Sequence, residues 1–201
     1  MAIKVANNQS LTAITAIPAS ITGGAWNLLE TQTASDSATI NFTSNIDSTY
    51  KEYIFRFYDI HPETDDKHFT FQANASGGSG FNETITSTAF RAYQLANGSA
   101  SALGYRTAND QAQGTGYQRL TEEVGNENSE SCCGTLHIYD PSNTTHVTHF
   151  ISRASSMMLD SGPRDVFVAG YINTTSAITE ISFSFTSGDV QAGVIKLYGV
   201  S

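Results

Sequence analysis

The stretch Tyr53-Ile-Phe-Arg-Phe-Tyr58 decides the fold class, because aromatic or aliphatic side chains occupy all but one of its positions. Successive side chains of a strand point to opposite faces, so the three aromatic residues at its odd-numbered positions would share one face. The other face, with Ile54 and Tyr58, is also mostly apolar, which is typical of a strand covered on both sides. The stretch therefore predicts a strand in the interior of a sheet.

The same alternation continues in both directions along the chain. Ala38–Phe42, Phe69–Ala73 and Ile181–Thr186 alternate apolar with polar residues, as half-buried antiparallel strands do. Clusters of Gly, Asn, Asp and Pro separate the runs and favour turns. The predicted strands are 27–33, 38–42, 53–58, 69–73, 84–95, 115–122, 133–140, 145–153, 165–173, 181–186 and 193–200. This pattern predicts an all-β fold, an antiparallel β-sandwich or jelly roll of about ten to eleven strands.

The chain divides into an arm and one domain. Residues 1–26 carry scattered apolar residues, a proline and a glycine pair without a firm period, so we expect an extended N-terminal arm. Residues 27–201 are long enough for a single sandwich domain. The polar region 97–131 is expected to be a long irregular excursion with one short strand near Tyr117.

Several apolar residues of the arm have no evident place in a sandwich. We expect them either to dock onto a partner or to fold back onto their own domain, with the single tryptophan, Trp26, anchoring the arm to the body. The other candidate interaction residues of the arm are Leu11, Ile14, Ile17 and Ile21.

The composition excludes some classes of partner. Lys and Arg number 10 against 19 Asp and Glu, which gives a formal charge of −9. Binding to nucleic acid or to an anionic membrane surface needs clustered cations, which this chain lacks. No apolar run approaches the length of a membrane-spanning helix. Residues 1–4 lack the apolar run of a signal peptide, so we expect synthesis in the cytoplasm.

The residues with reactive side chains form no recognisable catalytic or metal-binding pattern. The two cysteines, Cys132 and Cys133, are adjacent, and neighbouring strand residues point to opposite faces. We therefore expect one thiol in the core and the other outside, without a disulfide. The five histidines lack the spacing of a structural zinc site.

The acidic residues are expected to be solvated rather than catalytic. Two groups could supply an acid–base pair, but turns are where solvated acids collect, and neither group carries a sign of burial. No nucleophile elbow, phosphate-binding loop or dinucleotide fingerprint is present. We therefore predict no enzyme activity, no metal and no cofactor. The two groups are Glu63, Asp65 and Asp66, and Glu122, Glu123, Glu127 and Glu130.

The aromatic residues leave two alternatives open. The chain has 11 Phe, 9 Tyr and 1 Trp. Tyr93, Tyr105 and Tyr117 lie in or near the irregular region and could form a platform for a carbohydrate. The simpler interpretation is that Phe fills the core and Tyr caps its rim. Exposed aromatic residues would also suit a protein–protein contact.

Three segments resemble virion proteins of tailed bacteriophages, particularly marine and cyanobacterial ones. The segment 48–65 ends in the turn His61-Pro-Glu-Thr-Asp65, and the strand His68-Phe-Thr-Phe-Gln72 and a glycine turn follow it. The segments Val168–Thr175 and Ile195–Gly199 are similar to the later parts of the same proteins. The resemblance implies a β-sandwich structural module of head-surface proteins or tail appendages, and it brings no catalytic residues.

Together these features predict a non-enzymatic structural protein of a tailed-phage virion, made in the host cytoplasm. The first expectation is an outer-capsid decoration (cement) protein that stabilises contacts between capsomers. It would act as a homo-oligomer, a trimer or a dimer, on partners such as the major capsid protein. The alternative is a tail-fibre or receptor-binding protein that recognises host surface glycans. An enzyme that degrades glycans is a third and weaker hypothesis.

Overall fold

A computed structural model of the chain describes residues 25–158 and 162–201. These residues form twelve strands in two antiparallel sheets that pack as a β-sandwich, and none of them is helical. The predicted all-β sandwich is confirmed. None of the described residues belongs to a helix that is long and apolar enough to cross a bilayer.

The strands follow one another along the chain with short turns between most of them. Their bounds are β1 Trp26–Ser37, β2 Ile40–Phe42, β3 Glu52–Pro62, β4 Lys67–Ala75, β5 Ile85–Gln94, β6 Ser101–Tyr105, β7 Gln118–Val124, β8 Cys132–Tyr139, β9 Thr148–Met157, β10 Pro163–Ile172, β11 Ile178–Phe185 and β12 Val190–Val200.

The two sheets differ in size. The larger has eight strands in the order β1-β12-β3-β8-β9-β10-β5-β6, and the smaller has four in the order β2-β11-β4-β7. The strand that contains Tyr53–Tyr58 is β3, which lies between β12 and β8, so its predicted interior position is confirmed. The edge strands are β1 and β6 in the larger sheet and β2 and β7 in the smaller one.

The core lies between the sheets and is rich in phenylalanine. Phe55 from the larger sheet packs edge-on against Phe42 and Phe183 from the smaller sheet, with ring centroids 5.1 and 5.3 Å apart. Phe69 stacks on Phe183 at 5.6 Å. These four rings are fully buried. Burying each one contributes about 1.5–3 kcal/mol, so the aromatic alternation of the sequence is what holds the two sheets together.

The region 97–131 is more ordered than the sequence predicts. It contains two strands, β6 and β7, where we predicted one. The first strand also begins one residue earlier than the predicted domain, because Trp26 is the first residue of β1 and pairs with Val200. The remaining arm candidates lie outside the described residues. They are Leu11, Ile14, Ile17 and Ile21.

Candidate contact face

The outward side of the eight-stranded sheet, which we call the aromatic face, carries all six of the exposed large hydrophobic residues in the described part of the chain. Leu103 is 72% exposed, and the other five are between 43% and 56% exposed. They lie in three groups, on β1, on β9 and on the neighbouring strands β5 and β6, and their occurrence on one side of the sandwich points to a contact surface. The other five residues are Trp26, Leu28, Phe90, Tyr105 and Ile151.

The outward side of the four-stranded sheet has the opposite character. There β4 carries Thr70, Gln72 and Asn74, because the alternate residues of the strand face the core. Thr70 and Gln72 are nevertheless buried, and Gln72 donates hydrogen bonds to the Thr115 and Gly116 carbonyls at 3.1 and 2.9 Å. The neighbouring strand β11 adds Ser182, whose hydroxyl meets that of Tyr117 at 3.0 Å. The outward side of the smaller sheet is therefore polar and partly covered by the chain's own segment before β7, whereas the aromatic face carries exposed apolar side chains.

One end of the aromatic face is a stack of rings and a guanidinium group. Phe90 and Phe167 lie parallel, with centroids 4.8 Å apart and planes 8° apart. The Arg153 guanidinium lies 4.6 Å from the Phe167 centroid and forms two hydrogen bonds to Asp165, at 3.0 and 2.7 Å. Arg153 is thereby held flat against the sheet, in a geometry that suits a protein contact.

The other end of the aromatic face surrounds Trp26. Its ring packs against Tyr198 at 5.7 Å, and the Arg56 guanidinium lies 5.5 Å from the centroids of both Trp26 and Tyr58. Trp26 therefore belongs to the edge of this face. The structure places it within the sandwich domain rather than in a separate arm.

A shallow groove of about 490 Å³ runs across the middle of the face. Its walls include Tyr139, His149 and Tyr171, with the His149 and Tyr171 rings 6.3 Å apart. The three rings lie side by side on β8, β9 and β10, and the lining continues in the next row with Ile151 and Ala169. Partial burial raises the pKa of Tyr139.

The three tyrosines that could have formed a platform are not brought together. Tyr105 lies on the aromatic face and donates a hydrogen bond to Asp110 at 2.5 Å, which raises the pKa of Tyr105. Tyr117 lies on the outward side of the smaller sheet. Tyr93 points to the inner side of β5, where the guanidinium groups of Arg91 and Arg164 each lie 4.9 Å from its ring.

The thiols are placed as predicted. Cys132 is buried in the core, where desolvation raises its pKa well above the usual value, and Cys133 is exposed. No disulfide joins them.

The expectation that the acidic residues are solvated is wrong for two of them. Glu122 has no exposed surface, and Glu130 is only 4% exposed. Glu122 accepts hydrogen bonds from Arg91 and from Arg106 Nε, the latter at 2.9 Å. Glu130 accepts the backbone N–H of Glu127 at 2.9 Å. The sequence did not reveal this burial because Arg91 and Arg106 lie 31 and 16 residues from Glu122.

A polar network beside Glu122 fastens the segment between β6 and β7. Gln118 accepts a hydrogen bond from Ser87 at 2.6 Å and donates one to the Asn109 carbonyl at 2.6 Å. Asn109 in turn donates to the Thr121 carbonyl at 3.0 Å. The network ties this end of the sandwich together, although the buried Asn109 Oδ1 has no hydrogen-bond partner among the described residues.

The histidines do not assemble into a metal site. Across residues 25–158 and 162–201, no group of three or more His, Cys, Asp or Glu side chains could hold a metal ion. His137 Nδ1 lies 2.6 Å from Glu52 Oε1, and His68 Nδ1 lies 3.0 Å from the Thr121 carbonyl.

Comparisons of the chain with protein-family models, with curated proteins and with solved structures find no match.

Proposed function

We propose that this chain is a structural protein of a tailed-phage virion without enzymatic activity, an outer-capsid decoration protein that attaches through its aromatic face. The observation that carries the proposal is the gathering of all six exposed large hydrophobic residues of the described chain on that one face. Three sequence segments resemble virion proteins of tailed phages, and a virion is an assembly in which such a face would contact a neighbouring protein.

The composition of the aromatic face favours a protein as its partner. Exposed Trp, Tyr and Phe side chains together with arginine are the residues enriched in protein–protein interfaces. Arg56 and Arg153 are each already positioned against an aromatic ring, so little side-chain freedom would be lost on binding. The opposite side of the sandwich, where Asn41 is exposed, would then face away from the capsid.

The test compares one charge substitution on each exterior side. Ile151 is 48% exposed at the centre of the aromatic face, and Asn41 is exposed on the opposite side. We expect Ile151→Glu to lower the occupancy of the protein on its particle, because a carboxylate would be desolvated in the contact. We expect Asn41→Glu to leave occupancy unchanged.

Occupancy is measured by co-sedimentation with particles that lack the protein and by cryo-EM of the decorated particles. Density on the outer capsid that disappears with Ile151→Glu would support the proposal. Equal occupancy of both variants, or density at the tail alone, would contradict it.

The shallow groove across the aromatic face favours a second candidate function, that of a tail protein that recognises host surface glycans. Flat rings of Tyr139, His149 and Tyr171 beside a small side chain could accept the apolar side of a sugar ring. This candidate predicts binding to host-envelope glycans that Tyr171→Ala abolishes. Absence of binding across a panel of host surface glycans would rule it out.

A further inference from the structure

The four edges of the sandwich differ in how they are protected against pairing with another strand. A bare edge offers a row of unpaired backbone groups, and proteins block such edges with bulges, charges, short strands or covering segments. Three of the four edges carry such a feature, and β6 does not.

β1 is interrupted and charged. A bulge lies between Leu28 and Glu30, and Glu30 stands opposite the core residue Leu197, so a carboxylate occupies an inward position at this edge. β2 has only three residues, which is too short to act as a template for a longer strand.

β7 is charged and covered. It carries Arg119, Glu122 and Glu123. The segment that precedes it lies along the strand, because Asn109 donates to the Thr121 carbonyl at 3.0 Å and Arg119 donates to the Ala108 carbonyl at 3.0 Å.

β6 has none of these features. Its sequence, Ser101-Ala-Leu-Gly-Tyr105, contains no charge and no proline, and its pairing with β5 has no bulge. All five of its residues are exposed. Leu103, the most exposed large hydrophobic residue of the described chain, lies at its centre.

The pairing with β5 determines which backbone groups of β6 remain open. Leu95 N–H bonds to the Ala100 carbonyl, and Arg106 N–H bonds to the Ala89 carbonyl. Bonded pairs recur at every second residue of an antiparallel ladder, so Ala102 and Gly104 direct their N–H and C=O groups toward β5. The backbone groups of Ser101, Leu103 and Tyr105 therefore point away from the sheet.

We propose that β6 pairs antiparallel with β6 of a second copy of this chain, about a two-fold axis at Leu103, so that the two eight-stranded sheets become one continuous sheet. In this register Leu103 faces Leu103 of the second copy, and Ser101 faces Tyr105. Every outward N–H and C=O of the three residues then finds a partner.

A second copy offers this edge a strand of the same length that carries neither charge nor proline. The outward groups are symmetric about Leu103, so the same five residues satisfy one another without any further sequence. The pairing also brings the two exposed leucines into contact on the aromatic face and extends that face across both copies. The inference rests on the proposed function, because a decoration protein that clamps neighbouring capsomers would act as an oligomer.

The first test substitutes lysine, in the full chain, for each of two leucines. Both leucines lie on the aromatic face and on an edge strand. Leu103→Lys places like charges opposite each other at the two-fold axis, whereas Leu28→Lys makes the same change on β1. In sedimentation equilibrium we expect a dimer for the wild type and for Leu28→Lys, and a dissociation constant raised about tenfold or more for Leu103→Lys. Circular dichroism checks that both variants are folded.

The second test reads individual amides. As the protein concentration rises, hydrogen exchange at the N–H groups of Ser101, Leu103 and Tyr105 should slow, whereas exchange at Ala102 and Gly104 should not depend on concentration. Leu103→Pro removes one outward N–H that β5 does not use, so it should abolish the dimer and leave the sandwich folded.

Three results would overturn the pairing. The first is a wild type that stays monomeric, which would leave the edge open to a strand of another protein. The second is a Leu103→Lys variant that dimerises as the wild type does, and the third is hydrogen exchange that does not alternate between neighbouring amides of β6. The proposed function is tested separately by Ile151→Glu on particles. A monomer that still decorates capsids in an Ile151-dependent manner would therefore reject the pairing alone.

Discussion

Glu122 shows how much of this protein depends on residues that are distant in sequence. Its carboxylate has no exposed surface and lies between the guanidinium groups of Arg91 and Arg106, which come from β5 and from the segment after β6. A buried carboxylate is tolerated only when such partners compensate its loss of water. Glu122 therefore joins β7 of the smaller sheet to one end of the larger sheet.

Removing this carboxylate should destabilise the fold. Glu122→Ala leaves two arginines facing each other without their counter-charge, and we expect a loss of about 3 kcal/mol in the free energy of unfolding. Urea denaturation measures it. The neighbouring Glu123, whose side chain is 32% exposed, serves as a control, and Glu123→Ala should cost less than about 1 kcal/mol. Equal losses for the two variants would show that Glu122 has no special role.

His68 should make stability depend on pH near neutrality. Burial lowers the pKa of His68 below the usual histidine value of 6.5, against the opposing effects of the Thr121 carbonyl and Glu123. Below pH 6.5 the unfolded chain therefore protonates His68 more readily than the folded chain does. The free energy of unfolding is greatest above pH 6.5 and falls as the pH drops from 6.5 toward the lower pKa of His68 in the folded state. Unfolding midpoints measured across this range should decline for the wild type and decline less for His68→Gln. Parallel curves for the two proteins would contradict the assignment.

At the scale of strands, those with alternating apolar residues, such as β3, could be predicted from the sequence, whereas the fully exposed strand β6 could not. The alternation in β3 is strong because one side of the strand faces a phenylalanine core. β6 buries nothing, so no apolar period marks its five residues. The buried state of Glu122 is hidden for another reason, since it depends on pairing across the fold and not on any local pattern.

Two glycines in strands should respond oppositely to an added methyl group. A Cβ on Gly134 would lie 2.8 Å from both the Ala154 Cα and the Phe57 ring, whereas a Cβ on Gly104 would meet no atom within 4 Å. Overpacking a core costs about 1–3 kcal/mol, so Gly134→Ala should lower the urea midpoint. Gly104→Ala should leave it unchanged or raise it slightly, because alanine has less backbone freedom to lose on folding. A fall of equal size in both variants would argue against the packing of β8 on β3.

For the whole molecule, removing residues 1–24 tests the two roles that the sequence leaves open for the predicted arm. A chain that begins at Ala25 keeps every described residue of the hydrophobic core. If the predicted arm folds back onto its own domain, the shortened chain should unfold at a lower urea concentration than the full chain. If the predicted arm binds a neighbour on the particle, the shortened chain should show reduced capsid occupancy. Undiminished occupancy would remove the arm from the proposed attachment.

The protection of three edges out of four also limits how far the chain can polymerise. A molecule with two open edges could add copies at both sides without end, as amyloid fibrils do. A molecule whose single open edge is matched by its own two-fold copy stops at a closed pair. The bulge of β1 and the inward carboxylate of Glu30 would thus keep such a pair from growing into a fibre.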